Sequence, residues 1–229
     1  MPLFRNAVFY RTIARLVDLP SDSLSEVAFA GRSNCGKSSA INALADHTRL
    51  AFVSKTPGRT QNLNYFRVAE GRYLVDLPGY GFAKAPAEIR AQWGRLLAPY
   101  LRERPALRGL VLIMDSRHPL TVLDRQLLDW FAPTGKPIHV LLSKADKLSH
   151  EQRLLTLRRV TSQLGEIGSQ CSAQLFSSLR KSGLPEAENV LGDWLGLTGV
   201  APDEGSSPVT PAESPEACRA SPDGPSRRR

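Results

Sequence analysis

The stretch 28-AFAGRSNCGKSSAIN-42 contains the pattern that decides the fold. Residues 31–38 match G-x-x-x-x-G-K-[ST], in which glycines let the backbone approach a pyrophosphate and successive N–H groups point at its oxygens. The preceding "EVAFA" is typical of a buried strand and the following "SSAINALA" of a helix. The sequence therefore predicts a phosphate-binding loop between a strand and a helix N-terminus.

The residues of this loop have separate predicted roles. Lys37 would place a positive charge on the β- and γ-phosphates, and the Ser38 hydroxyl would coordinate Mg²⁺. Cys35 is expected to be a small apolar filler, because nothing beside it in the sequence would lower its thiol pKa. The predicted phosphate contacts are Gly31, Arg32, Ser33, Asn34, Cys35, Gly36, Lys37 and Ser38.

A second motif, 76-DLPG-79, follows Lys37 by 39 residues. A strand that ends in a carboxylate would support the Mg²⁺ shell, and a glycine three residues later would turn an N–H group toward the γ-phosphate. The same four letters are common in ordinary turns. The position after the phosphate loop favours the site, which adds Asp76, Leu77, Pro78 and Gly79.

The segment 54-SKTPGRTQNLNYF-66 lies between these motifs and is rich in Gly and Thr. Thr60 is predicted to supply a second hydroxyl to Mg²⁺, ordered when a γ-phosphate is present. An ordinary surface loop is the alternative. The predicted nucleotide contacts are Gly58, Arg59, Thr60, Gln61 and Asn62, and the predicted catalytic residues are Lys37, Thr60 and Gly79.

The stretch 139-HVLLSKADKL-148 is predicted to recognise the base, since ligands of open α/β sheets gather where strands end. The Asp146 carboxylate can accept hydrogen bonds from N1–H and the 2-amino group of guanine. Adenine has a lone pair at N1 and no 2-amino group, so guanine is favoured. Lys144 would pack along the base and the loop. The predicted base contacts are Ser143, Lys144, Ala145, Asp146, Phe176, Ser177 and Ser178.

Apolar runs alternate with helical segments, which predicts an α/β fold with a mostly parallel six-stranded sheet, one antiparallel edge strand and helices on both faces. The strands are predicted at 27–30, 64–69, 72–77, 110–115, 138–143 and 174–177, and the helices at 38–46, 87–103, 122–131, 149–165 and 185–195. "RVAEGRYLV" reads as a hairpin at the antiparallel edge. We expect an N-terminal extension at 1–24 that packs on the domain, a nucleotide-binding domain at 25–198 and a disordered Pro/Ser-rich tail at 199–229.

Composition limits the possible partners. The net charge of +8 favours a polyanion such as nucleic acid or an acidic membrane face, although a solvated basic surface explains it as well. Three sparse cysteines indicate neither a disulfide framework nor a zinc site. No signal peptide or membrane span is evident, so we expect a soluble, cytoplasmic monomer. RNA contact is one prediction for Arg90, Arg95, Arg102, Arg104 and Arg108; the alternative is that several of them simply face solvent on an amphipathic helix.

Taken together, these segments resemble the EngB (YihA/YsxC) family of bacterial ribosome-assembly GTP-binding proteins over residues 8–197. The resemblance implies a Ras-like P-loop GTPase fold, GTP or GDP with Mg²⁺, a role in maturing the large ribosomal subunit through rRNA or ribosomal protein, and normal septation during division. Ser143 stands where that family more often has Thr or Asn, which is expected to loosen the loop. The tail has no family counterpart.

Tyr80 occupies the position where Ras-like enzymes usually carry the glutamine that orients water. We therefore predict slow intrinsic hydrolysis, helped by a partner or by K⁺ near Asn34, since similar K⁺-dependent GTPases have an asparagine there. GTP would act as a switch that orders Thr60 and residues 79–84. Two alternatives remain open: a P-loop kinase or ATPase, and a scaffold that binds guanine nucleotide without hydrolysing it.

Overall fold

The computed structural model describes residues 2–51, 62–80 and 87–198, with side chains omitted for 87–94. Contacts group residues 1–199 as one compact unit. Predicted site residues Gly58, Arg59, Thr60 and Gln61, the segment 81–86 and the predicted tail lie outside the described residues. The division into extension, domain and tail stays a prediction.

The described residues form a seven-stranded sheet in the order β1-β3-β4-β2-β5-β6-β7. The strands are β1 (Val8–Ile13), β2 (Ser25–Gly31), β3 (Leu63–Ala69), β4 (Arg72–Asp76), β5 (Leu107–Asp115), β6 (Ile138–Ser143) and β7 (Cys171–Leu175). Within this described sheet β3 alone runs opposite to the other strands, pairing antiparallel with β1 and, through the predicted hairpin, with β4. The other pairings are parallel, so the α/β Ras-like fold is confirmed.

The sheet has one strand more than the six predicted, because Val8–Ile13 forms the edge strand β1. Only Ile13 of this strand is buried. An edge strand lacks the continuous apolar run that marks a central strand such as β2, whose seven residues are all buried. The sequence signal for β1 was therefore weak.

Five α-helices cover the sheet within the described residues: α1 (Lys37–Leu44), α2 (Ala87–Glu103), α3 (Val122–Phe131), α4 (His150–Ile167) and α5 (Leu184–Leu195). Side chains of α2, α3 and α4 pack in one core with Ala28 and Ala30 of β2. Side chains of α1 and α5 pack in another with Val27 and Phe29. Alternate residues of β2 thus face opposite layers, as a period of two requires. No helix among the described residues has the length and apolarity needed to cross a bilayer.

A buried ionic cluster closes the amino end of the central strands. The Glu26 carboxylate is fully buried and accepts hydrogen bonds from Tyr65 (3.1 Å), Tyr100 (2.9 Å) and Arg104 (2.7 Å). Arg104 also donates to the carbonyl of Pro20 at 2.6 Å. The prediction that Arg104 contacts RNA is therefore wrong, because its guanidinium is turned into the protein.

Candidate functional site

The loop between β2 and α1 requires glycine at two positions. A Cβ atom at Gly31 would lie 2.5 Å from the sulfur of Cys35 and 2.9 Å from the carbonyl oxygen of Ile113. Gly36 has φ of 103° and forms the N-cap of α1. A side chain is excluded at the first position by contact and at the second by backbone conformation. The loop therefore follows the glycine spacing that the sequence indicated.

Cys35 lies in the core beneath this loop. Burial raises the pKa of its thiol to about 11. The thiol is therefore protonated at neutral pH, as expected for an apolar filler.

Lys37 and Asp76 meet at the carboxyl ends of β2 and β4. These two strands are parallel neighbours, so their ends lie side by side. Lys37 forms an ion pair with Asp76, and both side chains are almost fully buried. Each charge is compensated by the other, as a buried charge requires. Ser38 follows in the first turn of α1 and is half-buried.

Gly79 and Tyr80 lie against the phosphate loop. A Cβ atom at Gly79 would lie 3.2 Å from the hydroxyl oxygen of Ser33. The N–H of Tyr80 donates to the carbonyl of Gly31 (3.2 Å), and the N–H of Ser33 donates to the carbonyl of Tyr80 (3.2 Å). The backbone after Asp76 is thus attached to the loop at two points.

The side chain of Tyr80 is bound to helix α3. Its hydroxyl donates to Oδ1 of Asp124 at 2.6 Å. Burial and the neighbouring Asp124 raise the pKa of Tyr80, so the phenol stays protonated and keeps donating. The sequence did not indicate this bond, because Asp124 is 44 residues away from Tyr80 in the chain.

The base-recognition segment lies at the ends of β6 and β7. Ser177 Oγ donates to Oδ1 of Asp146 at 2.5 Å. This hydrogen bond lowers the pKa of Asp146 and keeps the carboxylate ionised. The N–H of Ala145 donates to the carbonyl of Phe176 at 3.1 Å, which joins the two loops. Ser177 was predicted as a base contact, but the role of its hydroxyl in orienting Asp146 was not predicted; a hydroxyl residue two positions after the neighbouring parallel strand was the available signal.

Ser143 and Lys144 connect this segment to the phosphate loop. The Ser143 hydroxyl is buried and lies 2.5 Å from the carbonyl oxygen of Cys35 and 3.1 Å from that of Met114. Lys144 Nζ donates to the carbonyl of Asn34 at 2.8 Å. The short side chain of Ser143 ties the loop to β6, and the expectation that Ser143 loosens the loop relative to Thr or Asn stays a prediction.

A carboxylate that the sequence did not single out completes this connection. Asp115, at the end of β5, accepts from Lys144 Nζ at 2.9 Å and from Arg117 at 2.6 Å. Burial raises the pKa of Asp115, but the bonds from Arg117 and Lys144 dominate and hold it well below its usual range. Asp115 therefore positions Lys144 between the two loops.

A cleft of about 500 Å³ runs along α1 toward Asp146. Gly36, Ser39 and Asn42 line one side, and Lys144, Asp146 and Ser178 line the other. The volume falls in the range of ordinary ligand sites. The cleft brings the loop glycine and the base-recognition residues to a single cavity.

Other predicted site residues do not reach this cleft. Leu77 is part of the core, and Leu77 and Pro78 line a separate apolar cavity of about 280 Å³ beside α2 and α3. Arg32, Ser33 and Asn34 line a polar cleft of about 250 Å³ on the side of α3. Asn62 is described and half-buried.

Comparison with known proteins identifies relatives of this arrangement. Residues 26–144 match the family model described as 50S ribosome-binding GTPase. The probable GTP-binding protein EngB of Dechloromonas aromatica is 62% identical over 199 residues, which is 86% of this chain and 90% of the relative. That of Neisseria meningitidis serogroup B is 54% identical over 203 residues, covering 88% and 97%.

Solved structures share the fold. The crystal structure of a probable GTP-binding protein engB superposes with a TM-score of 0.59 at 20% identity, covering 75% of this chain and 99% of that chain. A single-residue variant of Aquifex aeolicus Era bound to GDP.AlF4⁻ superposes with a TM-score of 0.61 at 19% identity, covering 76% and 57%. Such low identity supports the architecture alone.

Proposed function

The chain belongs to the EngB family of GTP-binding proteins, and we propose that it hydrolyses GTP slowly and acts as a switch in assembly of the large ribosomal subunit. Guanine-nucleotide binding follows from the family. The hydrolysis, the residue roles, the metal ions and the ribosomal and division roles are our proposals.

One observation supports the proposed site above others. The cleft beside α1 has the phosphate loop at Gly36 and the ionised Asp146 among its lining residues. The Ser177 hydroxyl binds Oδ1 of Asp146, and Lys147 Nζ lies 3.9 Å from Oδ2. Acceptor positions therefore remain for the N1–H and 2-amino donors of guanine.

The described donors suit Mg²⁺. Ser38 would supply a hydroxyl ligand, and the Asp76 carboxylate, which is paired with Lys37 at the end of β4, would support the Mg²⁺ shell. Thr60 is proposed as the second hydroxyl. When bound, Mg²⁺ would neutralise charge on the β- and γ-phosphates. A K⁺ ion near Asn34 is proposed because similar K⁺-dependent GTPases have an asparagine at this loop position, and Asn34 is exposed on the loop.

Slow hydrolysis is consistent with the position of Tyr80. Its hydroxyl is committed to Asp124 and is therefore unavailable to orient a water molecule. Lys37 and the N–H groups of the loop would stabilise charge on the γ-phosphate. A partner or K⁺ would supply the remaining stabilisation.

The cellular proposal rests on family membership and charge. The matched family is described as ribosome-binding, and the net charge of +8 favours contact with rRNA. The role in septation rests on the family resemblance. Cys35 and Cys171 are free thiols, which suits the proposed cytoplasmic location. We propose that the protein acts as a monomer.

The decisive experiment is nucleotide competition with Asp146→Asn. An asparagine amide donates toward the 2-oxo group of xanthine and cannot accept from both guanine donors, so GTP affinity should fall by about tenfold or more while XTP affinity rises. Fluorescent GDP displaced by GTP, XTP or ATP measures this. Asp129→Asn, which removes an exposed carboxylate from α3, is the matched control and should keep the wild-type preference. Displacement by ATP at concentrations similar to GTP would instead support a P-loop ATPase or kinase.

Phosphate release distinguishes the switch from a scaffold. Turnover of GTP by the wild type should be slow alone and faster with isolated large subunits. Complete absence of phosphate release with subunits present would establish the scaffold. Equal rates in K⁺ and Na⁺ would contradict the ion site at Asn34.

A further inference from the structure

An arginine and tyrosine stack occupies the β1 edge of the sheet. The guanidinium carbon of Arg11 lies 4.5 Å from the centre of the Tyr10 ring, and that of Arg67 lies 5.6 Å from it. The Tyr73 ring supports Tyr10 at 5.3 Å between ring centres. Arg11 also donates to the Tyr10 hydroxyl at 3.0 Å. The two cations are thus held on an aromatic base.

Both arginines of this stack are exposed, and neither has an acidic partner among the described residues. In that part of the chain, neither guanidinium group lies within 4.0 Å of a carboxylate oxygen. Two acids of the neighbouring segment have other partners at short distance: Asp18 pairs with Arg15 at 2.8 Å, and Asp22 lies 3.5 Å from the Tyr73 hydroxyl. Positive charge that is not neutralised locally remains available to a ligand.

This arrangement contrasts with three arginines at the end of α2, in the loop that follows it and at the start of β5. Arg104 is turned inward to Glu26, and Arg108 donates to the carbonyl of Leu24 at 3.2 Å. Arg102 lies over the ring of Trp130 at 4.6 Å. The stack on β1 and β3 therefore presents a better-defined cationic surface than Arg102, Arg104 and Arg108 do.

We propose that Tyr10, Arg11 and Arg67 form a binding surface for single-stranded RNA. Guanidinium planes stack on unpaired bases and also bind phosphate oxygens, so one arginine serves either group. Because the aromatic base already orders these side chains, binding costs less conformational entropy. This surface rests on the proposed ribosomal function and names the contact through which rRNA would bind.

The edge strand itself favours RNA over an added peptide strand. β1 has only β3 as a partner in the described sheet, so one side of its backbone is open. The pairing register shifts between Phe9 and Arg11, which is a β-bulge. A bulge twists an edge and hinders the regular pairing that strand addition requires. The cationic stack, rather than the free backbone, is therefore the recognition element.

The proposal is tested with the full chain and a fluorescein-labelled oligouridylate of about twelve nucleotides, measured by anisotropy across a series of KCl concentrations. Arg11→Gln and Arg67→Gln should each weaken binding by about tenfold and reduce the slope of log K against log salt by about 0.7. Tyr10→Leu should weaken binding by a similar factor, because both arginines lose their support. GDP affinity should stay unchanged, which excludes general unfolding.

Arg15→Gln is the matched control, since it removes an arginine of the same N-terminal segment that is already paired with Asp18. It should keep wild-type RNA affinity and salt slope. Wild-type affinity in the Arg11→Gln, Arg67→Gln double variant would overturn the surface, as would absence of RNA binding by the wild type. Preferential binding of an acidic peptide through the same two arginines would also overturn it and identify a protein partner. If the double variant still binds large subunits with wild-type affinity in the presence of GTP, the RNA-binding surface is wrong and the proposed ribosomal function is unaffected.

Discussion

At the scale of single residues, two glycines with different physical constraints shape the phosphate loop. Gly36 needs its left-handed φ, whereas Gly31 needs space, because Cys35 and Ile113 fill the position of a Cβ atom. The neighbouring atoms belong to a buried side chain and a strand carbonyl, so neither can move freely.

Gly31→Ala should therefore lower the free energy of unfolding by about 1–3 kcal/mol, the usual cost of overpacking. Gly165→Ala is an informative control, because Gly165 lies inside α4 with open space around its Cα. There alanine improves helix propensity and should raise stability by about 0.5–1 kcal/mol. Urea denaturation measures both. Equal effects of the two substitutions would show that the contact with Cys35 is not constraining.

Motif residues at strand ends were predictable, whereas their supporting partners were not. The sequence indicated Lys37, Asp76 and Asp146 because each follows a recognisable strand within a spaced motif. Asp115 and Asp124 act through contacts between elements 29 to 44 residues apart, and so does the Ser177 hydroxyl, although Ser177 itself was predicted as a base contact. Such contacts depend on which strands become neighbours, and a linear pattern does not specify that order.

At the scale of elements, helix α3 joins the segment after β4 to the rest of the domain. Asp124 uses Oδ2 to accept from the N–H and hydroxyl of Thr121 at 2.8 Å, which completes a capping box. It uses Oδ1 for Tyr80. One buried carboxylate thus fixes both the start of α3 and the position of Tyr80.

Tyr80→Phe should lower the free energy of unfolding by about 1.5–3 kcal/mol, because a buried carboxylate loses a donor. A double-mutant cycle with Asp124→Asn should give a coupling free energy of about 0.5–3 kcal/mol. The control is a second double-mutant cycle that pairs Tyr80→Phe with Asp129→Asn, because Asp129 is exposed. In that cycle the two changes in the free energy of unfolding should be additive. An uncoupled Asp124 cycle in urea denaturation would mean that the 2.6 Å bond contributes nothing.

Helices and central strands were predicted with small errors at their ends. α3 matches its predicted range, and α4 extends two residues beyond its prediction to Ile167. β5 begins at Leu107 rather than at residue 110, because only its later residues form an uninterrupted apolar run. β1 was missed since an edge strand is defined by pairing with β3 rather than by burial.

At the scale of the whole molecule, the nucleotide site and the ionic cluster lie at opposite ends of β2. Gly31 ends the strand at the loop, and Glu26 stands near its beginning. The cluster links β2 to β3, α2 and the segment at Pro20 through one carboxylate and one guanidinium. The apolar layers set the fold, and this cluster fixes how the amino end of the sheet is closed.

Glu26→Gln should lower the free energy of unfolding by about 3–5 kcal/mol, because it leaves the Arg104 guanidinium without its anionic partner in a buried setting. Glu103→Gln is the matched control. It removes an exposed glutamate from the last residue of α2, next to Arg104, and should change the free energy of unfolding by less than about 0.5 kcal/mol. Urea denaturation of both variants gives the comparison. GDP affinity of folded Glu26→Gln should remain at the wild-type level, since the cluster stands at the far end of β2 from the loop. A large loss of GDP affinity with little change in stability would mean that the two ends of this strand are energetically coupled, and the separation between fold support and nucleotide binding would then be wrong.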